Sequence, residues 1–245
     1  MPRLDQALVE AGLAESRARA QALIAAGVVE IDGRPAAKPA QKVGPDSRVR
    51  LTEDPLPYVS RAALKLKHAL DTFGLDPGGA GALDLGASTG GFTQVLLEAG
   101  AAQVWAIDVG HGQLHKKLRG DPRVQVIEGL NVRDLTPEQV PPPDWIVSDL
   151  SFISLEKALP PALDMAGPGA TLVCLVKPQF EVGRAHVGKG GIVRDHGAIE
   201  AARERIRRFI ERSGWTVIGE CESPIRGGDG NVEFLLAAHK STPDR

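Results

Sequence analysis

Four charged residues fall where the chain's periodicity places strand ends or a neighbouring helix: Lys65, Asp149, Lys177 and Glu233. An amine flanked by carboxylates suits one task in particular. It takes a proton from a very weak acid such as a sugar hydroxyl, or orients that group, when neighbouring cations or low dielectric favour the neutral amine. Single charges at strand ends are more often merely solvated. Four are different, because strand ends on one side of a parallel sheet converge however distant they are in sequence. Lys177, just before Pro178, is therefore expected to activate a hydroxyl, with Lys65 holding the acceptor and easing proton loss from Lys177. Asp149 and Glu233 are expected to orient the two amines.

A second constellation supplies a candidate cofactor site. The apolar run Ala82-Leu83 leads into Asp84-Leu85-Gly86-Ala87-Ser88-Thr89-Gly90-Gly91-Phe92, and a helical pattern follows at once. Glycine lets a backbone turn that tightly and lie against a ligand. Beyond it, Val104-Trp105-Ala106-Ile107 ends in Asp108, where a nucleoside-binding fold places the carboxylate for ribose hydroxyls. Two other readings compete. Gly86-Ala87-Ser88-Thr89-Gly90 fits the nucleophile elbow of hydrolases, which would need His186, His196 or His239 as partner. A dinucleotide site would prefer glycine where Ser88 stands, and the turn carries no basic residue. A cofactor without phosphates fits better, and S-adenosylmethionine is the expectation. Its contacts are sought among Asp84, Gly86, Ala87, Ser88, Thr89, Gly90, Gly91, Phe92, Asp108 and Val109. Asn131 and Val132 after the third strand, and Asp149 and Leu150 after the fourth, complete that set.

The acceptor can be narrowed by what is missing. Cytosine C5 methylation needs a catalytic cysteine, usually beside proline, and neither Cys174 nor Cys221 has that context. Exocyclic-amine methylation typically uses two prolines and an aromatic after the fourth strand, where this chain reads Ser148-Asp149-Leu150-Ser151-Phe152. A ribose hydroxyl matches the lysine–carboxylate set, and base methylation is the alternative.

The elements that must position these residues can be read from periodicity. In 245 residues, 42% hydrophobic and 24% charged, there is room for one large domain plus a small one. Segments Ala82–Leu85, Val104–Ile107, Val124–Ile127, Trp145–Val147, Thr171–Val176, Trp215–Gly219 and Val232–Ala238 read as strands, mostly separated by helix-length stretches. The last two are joined by Gly227-Gly228-Asp229-Gly230, which predicts a final antiparallel hairpin. A helix opening at Ser60-Arg61 carries Ala63, Leu66, Leu70 and Phe73 on one face. The expected class is α/β: a Rossmann-like, seven-stranded sheet over residues 62–245. A stiff linker at 55–61 precedes it, and residues 1–54 form a small α+β domain. No apolar run is long enough to span a bilayer, no metal-ligand spacing is present, and two cysteines suit a cytoplasmic protein.

In the small domain, Leu4, Ala7, Leu8 and Ala11 recur at helical spacing, and Ser16 caps a second helix running to Gly27. Short strands at Val28–Ile31 and Arg48–Leu51 follow, with a turn at Asp32-Gly33. Arg3-Leu4-Asp5, Ser16-Arg17-Ala18-Arg19-Ala20, Ala26-Gly27-Val28-Val29 and Ile31-Asp32-Gly33-Arg34 resemble the RNA-binding domain first known from ribosomal protein S-four, the alpha-L motif. That resemblance makes Arg3, Arg17, Arg19, Arg34, Lys38 and Lys42 phosphate-contact candidates. Residues 1–54 hold eight basic and eight acidic side chains, so a binding face requires segregation of charge. One Tyr and six Phe in the whole chain favour folded RNA over stacked single strands. Lys116 and Lys117, and a helix crowded with Arg203, Arg205, Arg207, Arg208 and Arg212, offer further basic surface. The glycine-rich loop from Arg184 to Arg194 is a candidate cover for the acceptor.

Residues 55–240 resemble the FtsJ-like ribose methyltransferases, whose Lys-Asp-Lys-Glu tetrad falls on Lys65, Asp149, Lys177 and Glu233. The whole chain is similar to the TlyA (hemolysin A) family of rRNA 2′-O-methyltransferases, through Tyr58–Leu66, Leu83–Phe92, Ser148–Ser154, Lys177-Pro178-Gln179-Phe180-Glu181, Gly188–Gly191 and Gly230–Glu233. The resemblance implies methyl transfer to a cytidine ribose in 23S rRNA, affecting sensitivity to capreomycin-type antibiotics. The short termini resemble the shorter type, which leaves 16S rRNA open as a second target. Ribosomal RNA or a ribosomal subunit is the implied partner, with no membrane and no obligate protein partner. The rivals are a base methyltransferase, a membrane-damaging protein and a non-catalytic RNA-binding factor.

Overall fold

The computed structural model describes residues 1–14, 16–52 and 57–242. Pro55 and Leu56 of the expected linker, and Glu53 and Asp54 at the end of the expected small domain, lie outside them. The chain forms two compact units, Met1–Pro57 and Tyr58–Arg245.

In the first unit, α1 (Leu4–Glu10) and α2 (Arg17–Ala25) pack on a small sheet of β1 (Val29–Ile31), β2 (Arg34–Pro35) and β3 (Val49–Leu51), ordered β2-β1-β3. Ser16 caps α2 by accepting from the Arg19 N–H at 3.2 Å. The β1–β2 turn has positive φ at both Asp32 and Gly33, as a two-residue hairpin of native twist requires. Leu4, Leu8, Leu23, Ile24 and Val29 form the core.

The second unit runs α3 (Ala63–Phe73), β4 (Gly81–Leu85), α4 (Gly91–Glu98), β5 (Gln103–Asp108), α5 (Lys116–Arg119), β6 (Val124–Glu128) and β7 (Trp145–Ser148). It continues through α6 (Leu155–Ala158), α7 (Pro160–Met165), β8 (Thr171–Val176), α8 (Pro178–Glu181), α9 (His196–Arg212), β9 (Trp215–Glu222) and β10 (Phe234–Lys240). The seven strands are ordered β6-β5-β4-β7-β8-β10-β9. The first five are parallel, and β10 runs antiparallel between β8 and β9. Both faces are covered, and the two-residue period sorts each strand between them. On β8, Leu172, Cys174 and Val176 join the core under α6, α7 and α9, whereas Val173 and Leu175 join the core under α3 and α4.

Four expectations need correction. The helix expected at Ser60-Arg61 begins at Ala63, after a turn in which the Ala63 N–H meets Ser60 O. Tyr58 and Val59 belong with the second unit: both pack on its core, and the Val59 N–H donates to Gln94 Oε1 at 2.8 Å. Glu233 lies one residue before β10 instead of opening it. Between β6 and β7 there is only a single 3₁₀ turn, Val132–Asp134, in place of a helix.

Candidate active site

Lys65 reaches the carboxyl edge of the sheet from the first turn of α3, whose Leu66, Ala69 and Leu70 are packed into the core. Its Nζ donates to Glu233 Oε2 at 2.6 Å and lies 3.5 Å from Asp149 Oδ2. Lys177 directly follows β8 and caps α8, where Pro178 stands at the first position and its missing N–H costs nothing. Lys177 Nζ sits 2.6 Å from Asp149 Oδ1, off the hydrogen-bonding direction, and its well-aligned bond goes to Ser151 Oγ at 2.9 Å. The four side chains are 2–14% exposed. Two cations and two anions balance, which is how a low-dielectric site tolerates charge. A Cβ on Gly227 would collide with Glu233 Oε1, so glycine lets the β9–β10 loop close over that carboxylate. The structure therefore brings the four sequence candidates together and adds Ser151.

Two cavities meet here. One, about 520 Å³, is lined by the four charged residues, by Ala87, Ser88, Thr89, Gly91 and Phe92, and by Arg61 and Arg226. The other, about 660 Å³, is lined by Asp108, Val109, Leu130, Asn131, Val132 and Leu150 among others. Gly86, Ser151, Phe152 and Phe180 border both.

The donor set of the second cavity fits a nucleoside. Asp108 accepts from the N–H groups of Ser88 (2.8 Å) and Gly110 (2.7 Å), one on each carboxylate oxygen, leaving a lone pair on each for a ribose hydroxyl. Val109, 68% exposed, faces the same space as Leu130 and Val132, a slot for a flat base. Gly86 has φ +85°, and a Cβ there would press on Leu150 Cδ2 at 3.0 Å and Asp149 O at 3.2 Å. Two of the expected contacts line neither cavity. Asp84 is buried behind the loop, accepts from Thr93 Oγ1 at 2.6 Å and leaves Oδ1 without a partner; burial pushes its pKa up to about 7. Gly90 faces Leu114 and Leu118, which a Cβ would strike. Both shape the loop from behind.

The wall shared by the cavities holds a residue that sequence reading passed over. Phe152 is 90% exposed and has φ +64°, a conformation costly for an aromatic residue. Its ring lies 5.1 Å from that of Phe180 at 50°. Its place in the chain, after Asp149, is where amine methyltransferases carry an aromatic, and that was the available signal.

Competing chemistries find no such support. Ser88 Oγ bonds Gln113 Oε1 at 3.2 Å, while His186 pairs with Asp195 and His239 with Thr171. Cys174 is enclosed in β8, where burial raises its thiol pKa, and the half-buried Cys221 on β9 is shifted the same way. Among the described residues, no group of His, Cys, Asp or Glu is arranged to hold a metal ion. No helix among them is long and apolar enough to cross a membrane.

The basic candidates divide. Arg3 donates twice to Asp5 (3.0 and 3.2 Å), and Arg17 donates to the same carboxylate at 3.0 Å. Asp5 is fully buried, and the Arg3 guanidinium holds its carboxyl well below the usual range. Lys42 bridges to Arg3, and the Asp5 N–H reaches Pro39 O, so Arg3, Arg17, Lys38 and Lys42 share one region of the first unit. Arg34 is exposed on β2, and Arg19 is half-buried on α2. Lys116 and Lys117 are exposed on α5. The α9 arginines are mostly committed: Arg203 and Arg207 to Glu220, Arg205 to Glu156 and Glu181, Arg208 to Glu204. That helix reads as an ion-paired face more than an RNA surface. The Arg184–Arg194 loop is anchored by Asn231, which bonds the Val193 N–H and Gly191 O, each at 2.9 Å.

Residues 58–240 match the profile described as FtsJ-like methyltransferase, and residues 2–49 match the S4 domain. The chain is 48% identical over 236 residues to the 16S/23S rRNA (cytidine-2′-O)-methyltransferase TlyA of Mycobacterium tuberculosis, covering 96% of this chain and 88% of that one. It is 41% identical to Hemolysin A of Brachyspira hyodysenteriae, covering 95% and 98%. A solved structure from Streptococcus thermophilus, 40% identical, superposes with a TM-score of 0.77, covering 98% of this chain and 88% of that one.

Proposed function

The chain belongs to the FtsJ-like methyltransferase family, in the group that carries the TlyA and hemolysin A names, and from that premise we propose that it methylates the 2′-hydroxyl of a cytidine in ribosomal RNA. The observation that carries this reading is the Lys65–Asp149–Lys177–Glu233 cluster, set in a cavity that shares Gly86 and Ser151 with a nucleoside-shaped one. When bound in the second cavity, S-adenosylmethionine supplies a methyl group on a positively charged sulfur. Asp108 would hold its ribose, Val109, Leu130 and Val132 its base, and the Gly86–Ser88 turn its remaining length.

Lys177 Nζ, fixed between Asp149 and Ser151, meets the acceptor hydroxyl. Once its own extra proton has gone to solvent, the neutral amine takes the hydroxyl proton as the oxygen–methyl bond forms, the methyl–sulfur bond breaks and a neutral thioether would leave. Asp149 is shared: Lys65, itself tied to Glu233, draws on the same carboxylate, so Asp149 orients Lys177 without binding it exclusively. Phe152 and Phe180 offer a stacking wall for a base turned out of its helix. Arg61 and Arg226 stand at the rim for phosphates. In the first unit Arg3, Arg17, Lys38 and Lys42 contact the RNA backbone. The target is 23S rRNA within the large subunit, reached in the cytoplasm, and 16S rRNA is the second substrate to assay.

The test is direct. Purified protein, labelled S-adenosylmethionine and unmodified large or small subunits are incubated, and the RNA is digested to nucleosides. The expected product is 2′-O-methylcytidine, absent with Lys177→Ala although that variant still binds the cofactor. A methylated base in its place would overturn the reading.

A further inference from the structure

A carboxylate beside the site has no part in the chemistry above. Glu181 has its side chain 1% exposed, and desolvation raises its pKa. Its two oxygens are nevertheless fully used. Oε1 accepts from the Leu155 N–H at 2.9 Å, and Oε2 accepts from Ser154 Oγ at 2.8 Å. Arg205, from α9, donates to Glu181 O at 2.7 Å and approaches Oε2 at 3.4 Å, while also bonding Glu156.

These contacts join two segments. Ser154 ends the loop that begins at Asp149 and carries Ser151 and Phe152, and Leu155 opens α6. Glu181 ends the single-turn helix that begins directly after Lys177, and Pro178 restricts the backbone between them. Phe180, next to Glu181, backs the ring of Phe152. Burying a carboxylate costs free energy, and an apolar side chain would fill the same space without that cost. What an apolar residue lacks is direction: it cannot hold an N–H and a hydroxyl at fixed angles on the two arms of one planar group.

We infer that Glu181 is a positioning residue, which locks the Asp149–Ser154 loop to the helix starting at Lys177 and so sets the distance from Lys177 to Asp149 and Ser151. The inference rests on Lys177 being the group that meets the acceptor. An error near 1 Å in such a placement lowers turnover by about 100-fold.

Methyl transfer to unmodified large ribosomal subunits is measured for Glu181→Ala, Glu181→Gln, Arg205→Met and Lys177→Ala, each well below its melting temperature. Glu181→Ala is expected to lose about 10- to 100-fold in kcat, with KM for the subunit changing less than about threefold. Glu181→Gln keeps an oxygen for the Leu155 N–H and an amide that can donate to Ser154, and should recover to within about fivefold of the parent. A kcat for Glu181→Ala within about twofold of the parent, or equal impairment of both Glu181 variants, would overturn the inference. Should Glu181→Ala not fold, Arg205→Met decides: it removes the support from α9, and a kcat about threefold lower or more is expected, while an unchanged kcat refutes. Full activity of Lys177→Ala would instead overturn the function proposed above, whatever Glu181 does.

Discussion

Replacing Lys65 by methionine separates the two things its charge does. The Lys65 ammonium and the Glu233 carboxylate are 2.6 Å apart, with Asp149 at 3.5 Å on the other side. At an effective dielectric constant of about 20 the closer pair attracts by about 6 kcal/mol. Most of that offsets the desolvation of two groups that are 8% and 2% exposed. Lys65→Met removes the attraction and leaves the cost, because Glu233 stays buried with its Oε2 partner gone. The expected loss of stability is about 3–5 kcal/mol. Adding Glu233→Gln removes the stranded charge and should recover all but about 1 kcal/mol, a coupling typical of residues in contact. Methyl transfer should be lost in both variants. Urea unfolding followed by tryptophan fluorescence is suitable, since Trp105, Trp145 and Trp215 all lie in the second unit. A cost below about 1 kcal/mol for Lys65→Met, or a double variant no more stable than it, would refute the account of these charges.

Phe152→Gly relieves the strained backbone by about 1–2 kcal/mol but loses the ring contact and adds freedom to the unfolded chain. Stability within about 1 kcal/mol of the parent is expected alongside a tenfold or greater fall in activity (about 1.4 kcal/mol in transition-state terms), and a well-folded, fully active variant would remove Phe152 from the acceptor site. Asp84 carries a folded pKa of about 7 against 3.8 unfolded, so the folded state retains the proton in between and the contribution is lost as pH rises through 7. Between pH 6 and 8 the loss is about 1.4 kcal/mol, seen as a falling urea midpoint that Asp84→Asn should flatten; parallel slopes would contradict it. Gly90→Ala forces a Cβ against Leu114 and Leu118 at φ +97°, and calorimetry should find S-adenosylmethionine bound at least about tenfold more weakly. An unchanged affinity would show that the loop tolerates displacement.

The strands and the glycine loop were legible because their signals are local. An apolar run of five or six residues with helical spacing after it predicts a strand and crossover wherever the chain is read. Asp149 and Lys177 were legible for a related reason: in a parallel sheet, a charged residue just past a strand's carboxyl end has its location in space specified by topology. Lys65 on α3 and Glu233 before the antiparallel β10 depend instead on how those elements pack over the same edge. Ser151 and Glu181 carry no such signal. A serine and a glutamate in short loop segments acquire a role only when packing sets them against Lys177 and Leu155, and spacing along the chain does not encode those distances. The α9 arginines mislead for the same reason, since their partners Glu220, Glu156 and Glu181 come from other elements.

In the first unit the equal numbers of acids and bases left its surface undetermined. Folding decides it by burying Asp5 and presenting Arg3 and Arg17 on the same carboxylate, beside Lys42. From the sequence alone come the α/β class, the glycine-rich turn after the first strand of the large sheet and the identity of the four charged residues, because local propensity and sheet periodicity are properties of neighbours in the chain. Only the tertiary structure decides which oxygen faces which amine, which arginines are already occupied and which aromatic stands exposed between two cavities, because electrostatics and stacking act over a few ångströms of space.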